Sequence, residues 1–148
     1  MVKTPRKLGH LVVKVRDLGR SVDFYTGFLG LNVTGQITDS MVFMAAEPGS
    51  SHELAVVKVG DKVSGPQEEQ GGLAHMAWQM DTMEDLRDVH RRLTISGQDF
   101  RIGDHGISLG IYFKDPDGNE VEAFYELPRN RWPKGSSVVG GTAFPFTF

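Results

Sequence analysis

Leu11, Val13 and Val15 alternate with other residues, the period of a strand that turns one face to a core. Past Asp17 the spacing changes. Val22, Tyr25 and Leu29 fall at i, i+3 and i+7, which predicts a helix capped by Asp17 and stopped by Gly30. The order then repeats. Leu8-Gly9-His10 returns as Leu73-Ala74-His75, an offset of 65 residues. The second copy continues with an alternating face of Ala74, Met76, Trp78 and Met80. Its helix starts near Thr82, with Asp85 three residues on as a variant capping box. Leu86, Val89 and Leu93 form the apolar stripe, and Gly97 closes it. Short strand-like segments follow each helix: near Leu31–Thr34, Met41–Ala46 and Glu53–Val59, then near Phe100–Ile102, Ile107–Phe113 and Val121–Leu127. The pattern predicts an α+β fold of two βαβββ modules forming a curled mixed sheet.

The chain's 148 residues fit one domain over 1–148. Module 1 spans about 6–60 and module 2 spans 73–128. Between them lies a Gly-, Pro- and charge-rich linker over 60–72. The tail over 129–148 has no periodicity and ends GGTAFPFTF, an apolar stretch expected to pack on the domain or on a neighbouring subunit. A formal net charge of −3 gives no reason to expect nucleic acid or an anionic membrane. No apolar run is long enough to span a bilayer, and the basic start MVKTPRK leads into no signal-peptide core. Cysteine is absent, which suits a cytoplasmic protein. It also restricts any metal to His, Asp or Glu.

Alternation places the polar residues. His10 lies opposite Leu11, Val13 and Val15, and His75 lies opposite Met76 and Trp78. Glu122 lies opposite Val121, Ala123, Tyr125 and Leu127. Ile107, Leu109, Ile111 and Phe113 take the helix side of their strand, leaving Ser108, Gly110 and Tyr112 on the other, with Gly110 making room beside the tyrosine. Asp115-Pro116-Asp117-Gly118 has the chemistry of a tight turn, and it sets the register that turns Tyr112 and Glu122 to one side. A strand histidine taken singly is most often structural. Two at equivalent repeat positions, with a carboxylate on the matching face, make a metal site in a concave interior.

These residues resemble the vicinal oxygen chelate superfamily of paired βαβββ modules. Within it they resemble the type I extradiol ring-cleaving dioxygenases in one-domain form. GDHGISLGIYFKDPDGNEVE, together with LGH and LAH, carries the signature, and the resemblance covers roughly residues 6 to 132. It implies His10, His75 and Glu122 as ligands of Fe(II), with Mn(II) as a substitute. It implies His52 as the acid/base residue, and His105 and Tyr112 on the substrate side. His90 is read as structural. The implied reaction opens a catecholic ring beside its diol with O2, the catechol being monocyclic or 2,3-dihydroxybiphenyl-like. Larger members carry two such domains, so contacts missing here favour a homo-oligomer.

Two other readings stay open at this point. A glyoxalase-like isomerase or epimerase would take a fourth ligand from Glu53. Alternation puts His52, Leu54 and Val56 on one face and Glu53, Ala55 and Val57 on the other, without deciding which of His52 and Glu53 faces the metal. A metal-free protein that sequesters a drug such as bleomycin would need no ligand set at all.

Overall fold

The computed structural model describes residues 3–67, 69–133 and 143–148. The chain divides into two compact units, Met1–Ser64 and Gly65–Phe148. Each is a βαβββ module with its own four-stranded mixed sheet.

In the first unit β1 (Leu11–Val15) leads into α1 (Leu18–Leu29), then β2 (Asn32–Ile37), β3 (Met41–Ala45) and β4 (Leu54–Lys58). The sheet order is β1-β4-β3-β2, with β1 and β4 parallel. The Asp17 side chain accepts the Arg20 amide at 2.8 Å, a cap of about 1 kcal/mol. Gly30 ends the helix at φ 71°, a left-handed conformation that favours glycine. The buried face of α1 is Ser21, Phe24 and Tyr25, with Val22 and Leu29 only half-buried. The expected stripe thus shares Tyr25 but is rotated towards Phe24. Ser21 is tolerated there because its hydroxyl donates to the Asp17 carbonyl at 2.9 Å.

In the second unit β5 (Met76–Gln79), α2 (Met83–Ser96), β6 (Phe100–Asp104), β7 (Ser108–Lys114) and β8 (Glu120–Glu126) repeat the plan in the order β5-β8-β7-β6. The Thr82/Asp85 capping box is complete and Gly97 ends the helix at φ 69°. Leu86, Val89 and Leu93 are buried against the sheet, each large aliphatic contributing about 1.5–3 kcal/mol. The Asp115 carboxylate accepts from the amides of Asp117 and Asn119 and from the Asn119 side chain, all within 2.9 Å. Gly118 at φ 93° completes the turn that joins β7 to β8.

Register aligns the side chains into rows. In the second sheet Ala77, Glu122, Tyr112 and Arg101 stand side by side across four strands. The next row pairs Gly103 with Gly110. The helix-side partners Val121, Ala123, Ile111 and Phe113 are all buried.

Among the described residues no helix is long and apolar enough to cross a membrane. The tail over 129–148 is described only in part. Its last six residues pack on the second unit, where Phe144 is buried and Phe148 stacks on the His90 ring with centroids 4.6 Å apart.

Candidate functional site

Four of the six candidate residues lie in the second unit and meet there. Glu122 is buried, and its Oε2 lies 3.2 Å from His75 Nε2. The Tyr112 hydroxyl hydrogen-bonds to Glu122 and lies 2.9 Å from His105 Nε2. The His75 ring meets the Tyr112 ring edge-on at 5.6 Å. The result is a continuous chain His105–Tyr112–Glu122–His75. Burial pushes the Tyr112 hydroxyl well above the ordinary phenol range, and the hydrogen bond to Glu122 and its charge add to that. Arg101 pulls the other way without reversing it. A raised value favours the protonated hydroxyl, which can donate a hydrogen bond.

Glycines shape this cluster. A Cβ on Gly110 would lie 2.5 Å from Glu122 Oε1, and one on Gly103 would lie 2.7 Å from Tyr112 Cε2. Each position is filled by the neighbouring functional side chain, so any residue but glycine would displace it.

The other two candidates lie in the first unit. The His52 ring is 4.5 Å from the His10 ring and 5.0 Å from that of Phe43. Phe43 shares its row with Ala55 and Val12, on the sheet face away from Leu54 and Val56. Strict alternation would have sent His52 to the Leu54 side. The chain instead bends at Glu53, ahead of β4, and the period is broken there. The Glu53 carboxylate is taken up locally, accepting the Ala46 amide at 2.8 Å. Burial raises its pKa, but hydrogen bonds from the Ser50 side chain and the Ala46 and Glu47 backbone, with the charge of Lys7, outweigh that and leave it lowered.

Within either unit taken alone, no three described His, Asp or Glu side chains gather closely enough to hold a metal ion. The His75–Glu122 pair brings one imidazole nitrogen and one carboxylate oxygen within 3.2 Å of each other, two donor types that divalent cations take.

Gly103, the glycine two residues before His105, belongs to the signature, whereas Arg101 was not anticipated from sequence. The Arg101 guanidinium lies 3.8 Å above the Tyr112 ring and pairs with Glu120 at 3.1 Å. Gly103 packs under that same ring. The pairing of the two flanking strands, counted back from the turn of β6 into β7, carries the signal for Arg101. His90 touches Phe100 and Phe148 and none of these groups, in keeping with a structural role.

Residues 7–123 match the family model described as the Glyoxalase/Bleomycin resistance protein/Dioxygenase superfamily. The chain is 30% identical over 139 residues to catechol-2,3-dioxygenase of Bacillus subtilis (strain 168), covering 92% of this chain and 48% of that protein. It therefore spans about half the length of that relative. It is also 30% identical over 136 residues to a probable trivalent organoarsenical cleaving enzyme of the same organism, covering 88% of each. A solved glyoxylase/bleomycin resistance protein/dioxygenase domain from Frankia sp. EAN1pec superposes with a TM-score of 0.69 at 23% identity, covering 83% of this chain and 99% of that one. That likeness speaks for the fold alone.

Proposed function

Since the chain belongs to the glyoxalase/bleomycin resistance protein/dioxygenase superfamily, we propose that it is a one-domain extradiol dioxygenase that opens a catecholic ring beside its diol with O2. One observation carries the reading. His75 and the buried Glu122 are joined by a tyrosine and a second histidine, which a metal-dependent isomerase or a metal-free drug-binding protein would not require. The local engagement of Glu53 by Ala46 also speaks against a fourth ligand at that position.

In this reading His10, His75 and Glu122 are the metal ligands. Bound Fe(II), or Mn(II), would supply open coordination positions and the electron exchange that ring opening with dioxygen requires. The chain's own residues handle protons and orientation. A ring nitrogen of His52 takes the proton from a catechol hydroxyl and later returns it, a task suited to an imidazole near neutral pH. Tyr112 donates a hydrogen bond to a substrate oxygen, and His105 hydrogen-bonds the other hydroxyl. The Phe43 row offers an apolar surface to the ring. An arsenical substrate like that of the second relative would call for thiolates, since trivalent arsenic is thiophilic, and this chain has no cysteine. The same reading makes the active form a homo-oligomer.

The test is anaerobic loading with Fe(II), then addition of air with catechol or 2,3-dihydroxybiphenyl. We expect yellow ring-opened product that depends on Fe(II) or Mn(II). A chain that holds stoichiometric metal yet colours with no catechol would overturn the proposal in favour of an isomerase.

A further inference from the structure

The last residues of the chain end against the loop that carries His105. His105 sits between Asp104, the last residue of β6, and Gly106 at φ 77°. Its amide donates to the Ser108 carbonyl at 3.0 Å. Asp104 Oδ1 accepts the Gly106 amide at 2.8 Å, which folds the loop about the histidine. The same carboxylate accepts the Phe144 amide, at 3.2 Å on Oδ1 and 3.1 Å on Oδ2. Asp104, Leu109 and Tyr125 form one row on the helix side of the sheet. Phe144 is buried and meets the Tyr125 ring edge-on at 6.3 Å. The far end is tied to α2. Arg87 Nη2 donates to the Thr147 carbonyl at 2.9 Å, and Phe148 lies nearly parallel to the His90 ring, at 15°. The segment over 143–148 is thus anchored at both ends on the second unit, with the Asp104 carboxylate between it and the His105 loop.

We propose that Asp104 is a positioning residue through which the C-terminal six residues hold His105 at hydrogen-bond distance from Tyr112. The site face and the tail lie on opposite sides of the sheet, so the tail acts through the backbone of the loop and not by contact with substrate. A carboxylate suits this position because it accepts two amides at once. Asparagine keeps one good acceptor and alanine keeps none. The catalytic consequence rests on the dioxygenase reading, whereas the link between tail and loop does not.

Two measurements separate the two. Amide hydrogen exchange on the full chain, on Asp104→Asn and on a chain lacking residues 143–148 reads the link without any metal or substrate. We expect the His105 and Gly106 amides to exchange roughly tenfold faster or more without the tail, where both acceptors remain, and by less in D104N. The double variant R87A/F148A frees only the far anchor and gives the same direction should the truncated chain not fold. Ring cleavage then gives the consequence: kcat lower by roughly 10–100-fold in the truncated chain, with KM and metal content within twofold of the full chain. Unchanged exchange at His105 and Gly106 in both the truncated chain and R87A/F148A would overturn the proposal. A full chain that cleaves no catechol but shows the exchange effect would refute the dioxygenase reading while leaving the link in place.

Discussion

The two modules share one plan but fill it with opposite chemistry. At equivalent register positions the second sheet carries Ala77, Glu122, Tyr112 and Arg101, where the first carries Val12, Ala55, Phe43 and Gly35. One row later the second has Gly103 and Gly110, where the first has Ile37 and Met41. Tyr112 and Phe43 differ by one oxygen, and that oxygen is what the second module builds on. To hold it beside a buried carboxylate, the second module gives up side chains at two neighbouring positions. The first module needs no such space, and carries its two histidines just ahead of β1 and β4. The shared plan sets the frame, and the polar site depends on which module carries the carboxylate and the two glycines.

The largest break of this asymmetry is Glu122→Ala, which gives the second row the alanine that the first carries at Ala55. We expect metal affinity to fall well over 100-fold and ring cleavage to vanish, read by metal analysis and turnover. A variant that purifies with full metal would refute the assignment. Next comes His52→Ala. It should keep metal and lose roughly 10²–10⁴-fold in kcat, the range for a general acid–base group. The glycine contrast follows. Gly110→Ala should cost about 1–3 kcal/mol of stability through overpacking and weaken metal binding as Glu122 shifts. Gly35→Ala, whose Cβ would meet Phe43 at an ordinary 3.7 Å, should leave both untouched. Thermal melts and metal titration of the pair decide it, and equal effects would undo the comparison.

The smallest effect concerns Glu53. Its folded pKa is lowered, so its contribution to stability is present above the unfolded carboxylate value and is lost as pH falls through the folded one. Glu53→Gln should therefore flatten the acid limb of the stability–pH curve and spare ring cleavage at neutral pH. Loss of metal in that variant would instead mark Glu53 as a ligand.

Much of this was legible in the sequence because it depends on period and local chemistry. The caps at Asp17 and Thr82, the stops at Gly30 and Gly97, and the common face of Tyr112 and Glu122 follow from alternation and from the Asp-Pro-Asp-Gly turn between their strands. The resemblance named His52, but alternation left its facing open. A bend before β4 breaks the alternation there, and what sets its direction is the capture of the Glu53 carboxylate by Ala46, a contact across the loop between β3 and β4. Arg101 matters through the strand it is paired with, which no single-strand pattern reports. The Phe144 amide meets Asp104, 40 residues away, a contact between a strand end and a segment with no period at all.

The most direct test of the central claim is mass spectrometry of the product formed by Fe(II)-loaded protein from a catechol under isotopically labelled dioxygen. The account predicts a ring-opened product that carries both atoms of the labelled O2. A product of unchanged mass, formed with metal bound, would mark an isomerase and contradict it.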